Sequence, residues 1–179
     1  MKILKWIGLG VAGVVVAGVL LLAVVYVATG PEGPPSGSVS EAALEAGAYG
    51  VGRAELTLMD ESRVTAENGS YPGAESRTLV TNLWFPDEAT GGSSPLVVYS
   101  HGFMSNREEG AYLAEALARQ GYIVAAPDYP LSNGGAPGGP NPADVVNQPD
   151  DVSFIIDSLI AMEEDDKPFN GSVDATRIG

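Results

Sequence analysis

The sequence has no cysteine, which excludes a disulfide scaffold, a thiolate metal site, a cysteine nucleophile and a lipid-anchoring cysteine. It has a single histidine, His101, so histidine-rich metal sites are excluded and any Ser-His-Asp scheme within the chain would depend on that one ring. Basic residues are scarce: 9 Lys plus Arg stand against 23 Asp plus Glu, for a net charge of −14. No local basic cluster offsets this, and such a surface repels phosphate backbones, so nucleic acid is not expected as a partner. The many carboxylates fall in neither an EF-hand nor an H-E-x-x-H spacing, which makes a metal-dependent acidic-site enzyme the weakest reading; no metal and no cofactor are expected.

One long hydrophobic run is present, from Trp6 to Ala28, behind Lys2 and Lys5. At 1.5 Å per residue it is long enough for a hydrocarbon core of roughly 30 Å, so residues 1–29 are expected to form a transmembrane anchor over 6–28, with the lipid bilayer as partner. The two lysines favour an N-in orientation and an extracytoplasmic domain. A cleaved secretory signal, giving a secreted domain, is the alternative, but the run is long for one, a cut after Ala28 would put Tyr26 where a small residue belongs, and a cut after Gly30 would leave Pro31 as the new terminus. Residues 30–50 open with GPEGPPSGSVS, a Gly, Pro and Ser density that reads as a linker. Roughly 150 residues beyond the apolar run suffice for one modest domain, assigned to 51–179.

Within that domain, AELTLMD and SRTLVTNLWFP flank the turn-rich ENGSYPGAE and predict two or three antiparallel strands. LVVYS, from Leu96 to Ser100, predicts a short buried strand that HGFMSN breaks. Ser105 with Glu108, or Asn106 with Glu109, offers a capping box for a helix of 12 to 15 residues, with Leu113 and Leu117 on its inner face and Gly121 as its stop. A second apolar strand follows from Tyr122 and is expected to end at Pro127 and Pro130, so a right-handed crossover and a parallel pair are predicted. After the glycine- and proline-rich LSNGGAPGGPNP, Asn141 and Pro142 read as an N-cap and first helical position. Pro149 restarts a helix whose stripe of Val152, Ile155, Ile156, Leu159, Ile160 and Met162 should pack on a sheet. Asp150, Asp151 and Asp157 read as helix-terminal or solvent-facing charges. VDATRIG begins what reads as a further strand, so the sheet beneath the helix is expected to be incomplete.

His101, Gly102, Phe103 and Met104 fall at the carboxyl end of the first buried strand, where open α/β sheets place their sites. Gly102 permits a sharp turn, and the N–H of Phe103 or Met104 could then face a developing oxyanion. A histidine satisfied within a tight turn is the plainer alternative. Ser100 and Ser105, at a strand end and a cap, are consumed structurally rather than as nucleophiles.

The run LVVYSHGFMSNREEGAYLAEALARQGYIVAAPDYP, the helix QPDDVSFIIDSL and the closing VDATRIG resemble the N-terminal half of α/β-hydrolase enzymes of the dienelactone hydrolase and platelet-activating-factor acetylhydrolase-like group, from about Thr78 to Gly179. The resemblance implies an α/β-hydrolase fold, the N-terminal half of a mostly parallel sheet with flanking helices, preceded here by the transmembrane helix. It implies that Phe103 supplies one backbone N–H of an oxyanion hole and that His101 and Gly102 shape its turn, His101 not being the triad histidine. In that family the strand after the RIG-like segment leads to G-H-S-x-G, with acid and histidine later; none of these positions occurs in this sequence. Met104, Asp128 and Tyr129 could border the cleft, although a loop-fixing role suits Asp128 better. The expected function is therefore a serine hydrolase of carboxylic or lipid acyl esters, represented by a portion that lacks the nucleophile. The alternative is a noncatalytic, membrane-tethered interaction module on the same partial fold.

Overall fold

A computed structural model of the chain describes residues 15–22, 36–39, 41–42, 47–88 and 92–179. The chain divides into two compact units, Met1–Glu41 and Ala42–Gly179. In the first, residues 15–22 are helical.

This corrects the expected membrane anchor. Among the described residues no helix is long and apolar enough to cross a membrane. The flanking parts of the apolar run, 6–14 and 23–28, lie outside the described residues, as does most of the linker assigned to 30–50. The transmembrane helix, the bilayer as a partner, the extracytoplasmic placement and the membrane tether of the alternative module are accordingly withdrawn.

The second unit is built on a five-stranded sheet in the order β1-β2-β4-β3-β5. The strands are β1 (Val51–Asp60), β2 (Arg77–Pro86), β3 (Ser93–Val98), β4 (Ile123–Asp128) and β5 (Ser172–Ile178), with helices α1 (Ala111–Ala118) and α2 (Gln148–Ala161) between the later ones. The β1–β2 and β2–β4 ladders are antiparallel, and the β3–β4 and β3–β5 ladders are parallel. The sheet is therefore mixed, not mostly parallel: the N-terminal strands pair as expected, but β2 also docks antiparallel on β4 and carries that sense to the middle of the sheet.

Burial explains the layers. β4 reads Ile-Val-Ala-Ala with both faces covered: Ile123 and Ala125 join Leu79, Leu83, Leu96, Ile155 and Leu159, whereas Val124 and Ala126 join Trp84, Ala114 and Ala118. A continuous apolar run is what a strand buried on both faces requires. Pro127 is tolerated inside β4 because the β3 ladder stops at Ala125, leaving β2 as its partner there. Pro95 lies where the β3–β5 register shifts, between Ser94 and Leu96.

Both helices depart from expectation in detail. α1 is eight residues long with Gly110 at its N-cap and no side-chain cap, because the acidic residues of the anticipated capping box are engaged elsewhere, as described below. Its inner face is Ala114 and Ala118, with Leu117 partly buried, while Leu113 is exposed. Small residues let the helix lie close over Trp84, whose ring fills the space a leucine would need. Gly121, at φ +96°, ends the segment as expected. In α2, Ile155 and Leu159 are buried and Val152, Ile156 and Met162 pack beside them, but Ile160 is exposed. Asn141 caps a short 3-10 turn (Pro142–Asn147), its side chain accepting a hydrogen bond from the Ala143 N–H at 2.9 Å.

Candidate functional site

The turn 101–104 leaves the carboxyl end of β3 and is held by three separate restraints. His101 is buried, with its Nδ1 2.7 Å from the Gly102 carbonyl. A carbonyl can only accept, so Nδ1 carries the proton and Nε2 is left to accept from the Tyr129 N–H, at 3.4 Å. The imidazole also lies against the Tyr129 ring, with centroids 5.3 Å apart. Among the described residues this ring is hydrogen-bonded to the Gly102 carbonyl and the Tyr129 N–H, and to neither a serine nor a carboxylate.

Next, the Gly102 N–H donates to Glu109 Oε2 at 2.8 Å. This contact and the Ser105 hydroxyl hold the Glu109 carboxyl below its usual range. The same Glu109, after burial itself, helps to raise the Tyr99 phenol. Glu108 meanwhile accepts from Arg53 at 3.0 Å and from Asn82 at 2.6 Å. These tasks explain the missing capping box: the two glutamates fix the turn and the β1–β2 ribbon instead of the start of α1.

Finally, the Met104 N–H donates to the Ser132 carbonyl at 3.0 Å, and Met104 has φ +66°, a left-handed conformation that a non-glycine residue adopts at a cost. Between these occupied donors, the Phe103 N–H has no hydrogen-bond partner among the described residues, and the Phe103 side chain is 46% exposed. Of three consecutive amides in the turn, the middle one alone is free to meet an external oxygen.

Asp128 and Tyr129 follow at the end of β4. Asp128 accepts from the Arg107 N–H at 2.7 Å and forms an ion pair with its guanidinium. Arg107 also reaches Asn82 Oδ1 at 3.1 Å and Glu55 at 2.8 Å. Burial would lower the Arg107 pKa, but these carboxylates outweigh it and raise it. Tyr129 is fully buried; its hydroxyl lies 2.5 Å from Ser100 Oγ, and burial pushes its pKa up despite that contact. Asp128 is thus spent on a loop, and Tyr129 lies beneath the turn instead of on its open side.

The sequence reading missed a second cluster altogether. Arg77, at the start of β2, donates to both oxygens of Asp151 at 2.8 and 2.7 Å and to both oxygens of Asp144 at 3.0 and 3.2 Å. Asp151 lies in the first turn of α2, as a helix-terminal charge should, but it is completely buried, and Asp144 nearly so, so Asp151 does not face solvent. Arg63 adds a contact of 2.8 Å to Asp151 and one of 2.6 Å to Asp60. Asp144 also accepts from the Leu131 N–H at 3.2 Å, so the cluster braces the loop after β4. Among the described residues no group of three His, Asp or Glu side chains could hold a metal ion.

No family model matches the chain, and no curated protein matches it either. Among solved structures, a ferulic acid esterase from Streptomyces cinnamoneus covers 76% of this chain with a TM-score of 0.57 and 23% identity. The match takes in 53% of that enzyme, so the chain spans about half its length. A hypothetical protein from Pseudomonas aeruginosa matches over 72% of this chain and 34% of its own, at a TM-score of 0.45 and 21% identity, too distant to argue from. The likeness is one of fold: a mixed-sheet α/β fold with flanking helices.

Proposed function

We propose that this chain supplies the oxyanion side of a serine ester hydrolase acting on carboxylic or lipid acyl esters, within the dienelactone hydrolase and platelet-activating-factor acetylhydrolase-like group. The observation that carries the reading is the free Phe103 N–H, framed by the occupied amides of Gly102 and Met104 at the end of β3. The likeness to a ferulic acid esterase supports the reaction class, and the half-length match supports nucleophile, acid and base being contributed by residues other than these 179.

In such a site a serine oxygen attacks the ester carbonyl carbon, and its proton passes to a histidine. The carbonyl oxygen becomes an anion that two backbone N–H groups hold, the alkoxide leaves with the histidine's proton, and water then releases the acyl group. Phe103 contributes one of the two N–H groups. His101 and Glu109 are positioning residues: the first fixes the Gly102 carbonyl, the second the Gly102 N–H, and together they set the direction of the amide that follows.

The test compares p-nitrophenyl acetate hydrolysis by the 179-residue chain with that by the product of the complete coding region. The expected result is turnover, abolished by a serine-directed inhibitor, in the latter alone. Turnover by the 179 residues alone, or none by the complete product, overturns the reading. In an active protein Phe103→Pro, which deletes the N–H, should lower kcat about 100- to 1,000-fold, whereas Phe103→Ala, which keeps it, should change kcat little.

A noncatalytic interaction module is the second reading, favoured by the absence of a hydrogen-bonded Ser-His-acid set among the described residues. Inactivity of the complete product together with cooperative unfolding of this chain would support it.

A further inference from the structure

A cavity of about 360 Å³ opens beside the oxyanion turn, on the β2 side of β4 and away from β5. Ser76, just before β2, and Thr78 and Val80 within it line the cavity from alternate positions, while Arg77 and Leu79 between them turn into the core. Tyr71 faces it from the segment joining β1 to β2, and Pro130 and Pro137 from the loop after β4.

The walls are built, not accidental. Asn68 Nδ2 donates to the Pro137 carbonyl at 2.7 Å and to the Gly139 carbonyl at 2.6 Å, stitching the two loops together. Gly138, at φ +78°, brings its backbone so close that a Cβ there would sit 1.8 Å from the Asn68 carbonyl oxygen. Within the hairpin, Thr65 and Ala74 exchange backbone hydrogen bonds at 2.9 Å in both directions.

The lining has a definite chemical character. The hydroxyls of Tyr71, Ser76 and Thr78 have no hydrogen-bond partner among the described residues, so three groups able to donate and accept border the space. Val80, Pro130 and Pro137 supply apolar surface. The one charged lining residue, Asp128, is already paired with Arg107, and no lysine or arginine lines the cavity to attract an anion. The volume lies at the small end of ligand pockets.

We propose that this cavity binds an uncharged six-membered ring carrying hydroxyl groups, its edge on Tyr71, Ser76 and Thr78 and its face on Val80 and the prolines. Ser132 and Gly134 bond Met104 and Ser105 of the oxyanion turn at 3.0 and 2.7 Å, while the neighbouring Asn133 and Gly135 line the cavity. A ring held there is the alcohol portion of the ester, an identification that rests on the hydrolase reading; binding of the ring itself does not.

The experiment titrates the 179-residue chain by calorimetry and ligand-detected NMR with methyl β-D-glucopyranoside, phenol and sodium benzoate. Saturable binding of either neutral probe with none of benzoate supports the proposal, and which probe binds assigns the ring as glycosyl or phenolic. Thr78→Val should weaken that binding about fivefold, the effect of one hydrogen bond. Ala74→Trp, a bulky group at an exposed lining position, should abolish it with the thermal melt unchanged. No saturation by either neutral probe, equal binding of benzoate, or binding indifferent to both substitutions overturns the proposal. Turnover in the complete product without ring binding defeats this inference alone, and ring binding without turnover defeats the hydrolase reading alone.

Discussion

Arg77 and Arg107 each hold two carboxylates, but the Arg77 side chain is 2% exposed and that of Arg107 28%. The partners follow suit: Asp144 and Asp151 are at 2% and 0%, Asp128 and Glu55 at 18% and 56%. The same pairing chemistry therefore serves two ends. In the buried cluster each charge has lost its water, and its geometry must be complete because a missing member leaves an uncompensated ion. In the half-exposed cluster, water competes for every group, so the contacts orient the loops around the 101–104 turn while contributing little to stability. The first sets where the segment after β4 can run, and the second trims the direction of the turn.

The most severe way to break the comparison is Arg77→Met, which leaves the buried Asp144 without an ion-pair partner and Asp151 with Arg63 alone. It should cost about 3–5 kcal/mol in urea denaturation; a loss below about 1 kcal/mol would mean that the buried cluster behaves like the exposed one. A smaller effect is expected from Gly138→Ala, where a left-handed φ and the clash with Asn68 should cost about 1–3 kcal/mol without disturbing the Arg107 side of the molecule. Arg107→Ala should cost at most about 1 kcal/mol, and the loss should shrink further in 0.5 M salt, on the order of a few ångströms of screening length, whereas that of Arg77→Met should not.

The mildest test uses acid. Burial pushes the Asp60 carboxyl up, but hydrogen bonds from Ser62 and Arg63 outweigh it and leave the pKa below the ordinary 3.8. A carboxyl lowered by folding stabilises the native state fully above that ordinary value, and the contribution fades as pH falls below it. Stability of the parent chain should therefore decline more steeply below about pH 4 than that of Asp60→Asn, measured by denaturation at successive pH values.

The sequence made the local parts of the fold readable. Gly121 and the spacing of Ile155 with Leu159 carry their signal within a few residues and appear where expected, and LVVYS marks a strand that runs from Ser93 to Val98 instead of Leu96 to Ser100. What it concealed was partnership at a distance. Arg77 meets Asp144 and Asp151 across 67 and 74 positions, and nothing near Asp151 distinguishes a buried ligand of an arginine from a favourable helix-end charge. The capping box misled for the same reason: Glu108 and Glu109 had the right local spacing, but Arg53, Asn82 and the Gly102 N–H are stronger claimants. Leu113 yields to Ala114 on the inner face of α1 because Trp84, far away in sequence, occupies the volume beneath. At the candidate site the position of the turn was legible, but the distinction among its three amides was not, since it depends on Ser132 and Glu109.

Met104 is a cocked joint. Its backbone stays in a conformation that a β-methylene resists, at roughly 1–2 kcal/mol, because its N–H is hooked on the Ser132 carbonyl, 28 residues along the chain. Unhook that bond and the residue would relax toward ordinary dihedrals, swinging the peptide on its N-terminal side, the one shared with Phe103. The Phe103–Met104 peptide, next in line to the one that carries the Phe103 N–H, is thus pinned from the far loop by a single carbonyl, that of Ser132.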